Sequence, residues 1–190
     1  MVWNLPILLT WLRIVAIPLI MLLVMIGSAH PAGAADMAAG ILFGLAAITD
    51  SLDGYLARRL GQITRLGVFL DPVADKLIVA VALVLLVSRD QHRLVVLMAV
   101  VIIGREIAIS ALREWMAELG HRAKVAVSAL GKYKTIMQMV GLSLMLYRHD
   151  LLGLPIYRLG EWLTALAALL TLVSMFIYLR AAMPYLGERG

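Results

Sequence analysis

Apolar residues run almost unbroken through six stretches of the chain, roughly 6–27, 36–58, 68–88, 93–118, 129–147 and 160–183. Each is near the ~20 residues a helix needs to cross a bilayer. The connections are short and carry Gly, Pro or charge: "SAHPAGAAD", "RRLGQITRLG", "SRDQHR", "ELGHRAKVAVS" and "YRHDLLGLPIYRLG". This pattern predicts an all-α integral membrane protein, a six-transmembrane-helix bundle forming a single domain over 1–190. Asn4 ahead of Leu5-Pro6 fits a helix start, with Asn as cap and Pro in the first turn. Gly40 and Gly44 form a G-x-x-x-G pair that lets the second helix approach a neighbour closely.

Composition sharpens the class. The 190 residues are 63% hydrophobic, with a mean hydropathy of +0.94, far above the roughly 45–50% apolar content of a soluble domain. The absence of cysteine excludes disulfides, thiolate metal sites and a cysteine nucleophile. A net charge of +5 is explained by basic residues flanking membrane helices, so nucleic acid is not an expected partner. The opening stretch lacks the basic region and cleavage site of a signal peptide and is expected to be retained. The four histidines fall in connections and read as interfacial, and the methionines read as lipid-facing or core filler.

Charge also orients the bundle. The segments after the second and fourth helices and the C-terminal tail hold ten Lys and Arg, against four (Arg89, Arg93, Arg148, Arg158) on the other side. By the positive-inside rule, both termini and the 2–3 and 4–5 connections face the cytoplasm.

Against this background the stretch "TDSLDGYLARRLGQITRLGVFLDPVADKLIVA" is anomalous, because Asp50, Asp53, Asp71 and Asp75 all lie beside or within apolar runs. At about 100° per residue, Asp50, Asp53, Gly54 and Ala57 share one helical face, and Gly67, Asp71 and Asp75 recur one turn apart on the next helix. Two helices joined by a short loop are expected to be antiparallel neighbours whose carboxylate faces meet. Ionised carboxylates ~5 Å apart repel by ~3 kcal/mol per pair at an effective dielectric of ~20, so such a cluster needs cations. Oxygen-only ligands suit a hard divalent ion, Mg²⁺ or Mn²⁺, and four carboxylates suffice to bridge two of them, an arrangement fitted to phosphodiester displacement. The competing readings are Asp71-Pro72 as a helix start, with Asp50 and Asp53 as interfacial charges, or a cation-transport site.

On the fourth predicted helix, Glu106, Ser110 and Arg113 share a face, with Arg105 about 100° round, while Lys132 and Lys134 open the fifth. These cations can hold a phosphorylated acceptor, with Arg105, Arg113 and Lys134 as the candidate phosphate ligands. An ordinary Glu106–Arg113 pair is the alternative. Arg105 lies in the middle of "VVIIGREIAIS", where an arginine requires a specific partner.

The spacing Asp50-x2-Asp53-Gly54-x2-Ala57-Arg58-x8-Gly67-x3-Asp71-x3-Asp75 resembles, at every fixed position, the signature of the CDP-alcohol phosphotransferase family of membrane enzymes. The resemblance implies six transmembrane helices, a homodimer in the bacterial cytoplasmic (inner) membrane, and displacement of CMP by an acceptor hydroxyl. It further implies that Asp50, Asp53, Asp71 and Asp75 bind two divalent metal ions, with Asp75 as the general base. Asp50, Gly54, Ala57, Arg58 and Gly67 would border the CDP-lipid. Thr10 and Arg13 match the family's N-terminal pattern. "NLPILLTWLRI", "GREIAISALREWMAELG" and "VAVSALGKYKT" are similar to members that use CDP-diacylglycerol as donor and sn-glycerol 3-phosphate as acceptor. Members that use inositol phosphate or serine are the alternatives.

Overall fold

The computed structural model describes residues 5–29, 33–60, 65–118 and 129–185; of these, 5–7, 51–60, 65, 66, 68, 129–132 and 185 are described by backbone alone. Six helices follow one another: α1 (Leu5–Ala29), α2 (Ala34–Leu60), α3 (Arg65–Arg89), α4 (Arg93–Glu118), α5 (Ala129–Tyr147) and α6 (Ile156–Ala182), closed by a 3-10 turn. Among the described residues, three stretches are long and apolar enough to cross a membrane: Leu8–Ala29, Arg93–Glu118 and Ile156–Ala182. The other three helices carry Asp50 (α2), Asp71 and Asp75 (α3) and Lys134 (α5), which enter the site described below.

Two boundaries differ from expectation. α6 starts directly after Pro155, whose missing N–H is harmless at a helix entry. α3 begins at Arg65, which leaves Pro72 inside the helix. The reading of Asp71-Pro72 as a helix start is therefore wrong, and Asp71 sits within a helix that continues to Arg89. Asn4, the expected cap of α1, lies outside the described residues.

The helices close a ring in the order α1, α2, α5, α6, α4, α3, with α3 and α5 also touching across it. Ile20, Phe43, Ile78, Ile102, Leu142 and Met145 fill its centre and are almost fully buried. Outward-facing side chains such as Leu12, Val15, Trp162 and Phe176 are apolar and exposed, as a lipid-facing surface requires. Sequence adjacency misleads at one point. Among the described residues α2 and α3 share little direct contact, because α1 packs against both.

At the α2–α5 crossing, a Cβ added to Gly40 would come 2.6 Å from the Tyr147 backbone, and Ser143 Oγ donates to the Gly40 carbonyl at 2.8 Å. The G-x-x-x-G pair thus serves a close contact with α5. Gly40→Val should destabilise the protein by about 1–3 kcal/mol through overpacking, read as a lower thermal midpoint in detergent. An unchanged midpoint would mean that α5 is not held at this crossing.

The end of the bundle away from the aspartate stretch is tied by ion pairs. Arg89 donates to buried Asp36 at 2.5 and 3.2 Å. Arg148 pairs with Asp90, which also accepts from Tyr157 Oη at 2.9 Å. Two of the four basic residues assigned to that side are therefore neutralised locally.

Candidate active site

The site starts on α1, a helix the aspartate pattern did not implicate. Thr10 and Arg13 are one turn apart and each only 1% exposed. Thr10 Oγ1 donates to Asp71 Oδ1 at 2.5 Å, and Arg13 Nη1 contacts Asp75 Oδ1. Because Asp71 and Asp75 are also one turn apart, this double contact aligns α1 with α3 in parallel. The same Arg13 Nη1 lies 2.9 Å from Asp50 Oδ1 on α2. A guanidinium buried in an apolar bundle needs anionic partners, and here two carboxylates from two helices supply them. The acidic faces of α2 and α3 thus meet at Asp50 and Asp75, with Arg13 shared between them.

The carboxyl side chains of Asp50 and Asp75 remain 37% and 42% exposed because they front a cavity of about 160 Å³. Lys76, Glu106, Lys134 and Gln138 also line it. Acids from α2 and α3 thus face a lysine from α5. Lys134 is 4% exposed, and its Nζ finds no hydrogen-bond partner among the described residues. Arg105, Glu106 and Arg113 all lie near enough to act on its charge. A buried ammonium without a partner is costly, so this wall is shaped for an anion.

Arg105 is buried, pairs with Glu106 at 3.1 Å, and donates to Ser174 Oγ at 3.1 Å. Arg113 turns to Tyr178, whose Oη it reaches at 3.3 Å. The alternative Glu106–Arg113 pair is therefore replaced by Glu106–Arg105. Ser110 donates to the Glu106 carbonyl of its own helix at 2.7 Å and offers its proton to nothing else among the described residues. Asp50 also borders a second groove of about 270 Å³ between α2 and α5, lined mainly by apolar side chains including Ile48, Met139, Val140 and Leu144.

Gly67 is half-buried near the start of α3. The side chains of Asp53, Gly54, Ala57, Arg58 and Lys132 lie outside the described residues, as do Arg122 and Lys124 entirely. Among the described residues no three His, Asp or Glu converge as a ready metal cage. Asp71 is engaged by Thr10, and Asp50 and Asp75 share Arg13. The donor set still fits a hard cation, being oxygen alone, and positive charge already lodges between two of its carboxylates. His92 and His149, both away from the site, contact Glu161 and the Gly33 carbonyl.

Sequence reasoning missed the bridging role of Arg13 and the α6 hydroxyls of Ser174 and Tyr178. Arg13 did give a signal, as the one charge interrupting the first apolar run. Ser174 and Tyr178 gave none, since single hydroxyls in an apolar helix are common.

Residues 3–177 match the family model described as CDP-alcohol phosphatidyltransferase. The chain is 48% identical over 182 residues to the CDP-diacylglycerol–glycerol-3-phosphate 3-phosphatidyltransferase of Escherichia coli, covering 96% of each chain. Proteins of the same name from Shigella flexneri and Salmonella choleraesuis match with the same identity and coverage.

Proposed function

The chain belongs to the CDP-alcohol phosphatidyltransferase family, and from that premise we propose that it transfers the phosphatidyl group of CDP-diacylglycerol to a hydroxyl of sn-glycerol 3-phosphate, giving phosphatidylglycerophosphate and CMP. The observation that carries this reading is one cavity lined both by Asp50 and Asp75 and by Lys134, whose buried Nζ finds no partner among the described residues. Such a cavity receives an alcohol that also bears a phosphate. Near-full-length identity to relatives that carry this enzyme's name supports the same choice.

In the reaction, the acceptor hydroxyl oxygen forms a bond to the phosphatidyl phosphorus, and the bond from that phosphorus to the CMP oxygen breaks. Asp75 takes the hydroxyl proton, and the negative charge leaves on CMP. No covalent enzyme intermediate is needed. Asp50, Asp53, Asp71 and Asp75 would hold two divalent ions, Mg²⁺ or Mn²⁺, which when bound offset charge developing on the pyrophosphate. Arg13 holds Asp50 and Asp75 at a common point. Gly54, Ala57, Arg58 and Gly67 border the CDP group, and the apolar α2–α5 groove beside Asp50 accommodates acyl chain at the reacting end of the donor.

Arg105, Arg113 and Lys134 bind the acceptor phosphate. Arg113→Ala is accordingly expected to raise KM for sn-glycerol 3-phosphate about tenfold, the worth of one charge-assisted contact, with KM for CDP-diacylglycerol unchanged. Equal loss for both substrates, or for neither, would count against the assignment. The protein acts as a single catalytic domain with six membrane-spanning helices, as a homodimer in the bacterial cytoplasmic membrane, with the acidic site toward the cytoplasm. The excess of Lys and Arg on that side supports this orientation, and the pairing of Arg89 and Arg148 with acids strengthens the asymmetry.

The test is incorporation of labelled acceptor into lipid by the purified protein with CDP-diacylglycerol. Label should enter from sn-glycerol 3-phosphate and not from serine or inositol phosphate. Incorporation of either alternative in its place would move the protein to another branch of the family.

A further inference from the structure

The face of α6 that meets α4 is polar within one of the most apolar helices of the chain. Thr171, Ser174 and Tyr178 lie on it, all buried. Their roles follow from what reaches them. Arg105 Nη2 donates to Ser174 Oγ at 3.1 Å, and that hydroxyl spends its own proton on the Thr171 carbonyl at 2.9 Å. Ser174 is thereby fixed as an acceptor facing the guanidinium. Arg113 Nη2 donates to Tyr178 Oη at 3.3 Å, with the guanidinium carbon 5.3 Å from the ring centroid.

The spacing of these pairs is uneven. Arg105 and Arg113 are eight residues apart, about 12 Å along α4, whereas Ser174 and Tyr178 are four apart, about 6 Å along α6. The α6 contacts thus draw the two guanidinium groups together. Both act on the charge of Lys134, which lines the same cavity as Asp50 and Asp75.

The chemistry of the partners separates positioning from simple helix pairing. A carboxylate on α6 would have cancelled the charge it held, whereas a hydroxyl and an aromatic face orient a guanidinium and leave its charge intact. The Nε of each arginine and Nζ of Lys134 find no acceptor among the described residues. Arg113 is aimed by Tyr178 alone and Arg105 by Ser174 together with Glu106 at 3.1 Å, and the Nε and Nζ donors that remain are ready for a phosphate monoester dianion.

We propose that Ser174 and Tyr178 are positioning residues that aim Arg105 and Arg113 at the phosphate of the acceptor. The inference rests on the acceptor reading above and extends it to α6, where neither residue touches substrate. They set acceptor affinity and leave donor binding and the chemical step alone.

The experiment measures CMP release by the full-length protein in mixed micelles, varying sn-glycerol 3-phosphate and CDP-diacylglycerol separately. Tyr178→Leu should raise the acceptor KM about tenfold, and Tyr178→Phe, which keeps the ring and the fold, should raise it less. Ser174→Ala should raise it too, and Ser174→Thr should restore it. For each, the donor KM and the turnover at saturating acceptor should stay within about twofold, and inorganic phosphate should inhibit less well in step with the acceptor KM. An unchanged acceptor KM in an active wild-type background would overturn this inference alone, as would a rise matched by the donor KM or a fall in saturated turnover. Wild-type protein that releases no CMP with sn-glycerol 3-phosphate would overturn both the inference and the reading beneath it.

Discussion

Asp75→Asn lowers turnover by at least about a thousandfold, within the range for loss of a general base, while CDP-diacylglycerol still binds. The amide matches the carboxylate in shape but cannot take the acceptor proton at neutral pH. Asp75 is suited to that task by position, because it is 42% exposed and lines the same cavity as the lysine that would receive the acceptor phosphate. Its neighbour Asp71 is held by Thr10. Asp50 shares Arg13 with Asp75 but belongs to α2, at the mouth of the apolar groove. Turnover and donor binding, measured by calorimetry on the same preparation, check the prediction together. Substantial residual turnover would remove Asp75 from the role of base, and lost donor binding would give it a binding role instead.

Arg13→Leu produces the second large effect, and it is one of stability. Arg13 is 1% exposed and touches both Asp50 and Asp75, so its removal leaves two facing carboxylates without their cation. At an effective dielectric of ~20 and ~5 Å their repulsion is ~3 kcal/mol, and partial exposure of both acids reduces it. The variant should lose several degrees of thermal stability in EDTA, and saturating Mg²⁺ should restore much of the loss, since divalent ions neutralise the same acids. An equal loss with and without Mg²⁺ would mean that Arg13 contributes packing alone. This result depends on no assay of activity, and so it examines the acidic site independently of the reaction.

The helices were legible because apolar runs of bilayer length leave few alternatives. The spans 93–118 and 129–147 coincide with α4 and α5. One local signal had two meanings: Asp71-Pro72 looks like a helix entry, and the competing reading built on it fails because Pro72 is accommodated inside α3. The aspartate faces could be read from helical periodicity, since spacing fixes which residues share a side. Periodicity does not reveal which helix covers a face. The short 2–3 connection predicts that the acidic faces of α2 and α3 meet, and Asp50 and Asp75 do front one cavity, but it does not reveal that α1 packs against both helices and brings Arg13 to those acids. Arg105 was recognisable as needing a partner from its apolar surroundings, and it has Glu106 and Ser174. That its second partner comes from α6 depends on ring order, which no local pattern encodes.

The most direct test of the account is CMP release from CDP-diacylglycerol by the purified protein, with and without sn-glycerol 3-phosphate and with Mg²⁺ or EDTA. The account predicts release only when acceptor and divalent ion are both present, one CMP for each phosphatidylglycerophosphate formed. Release that persists in EDTA, or that proceeds equally without acceptor, would contradict it.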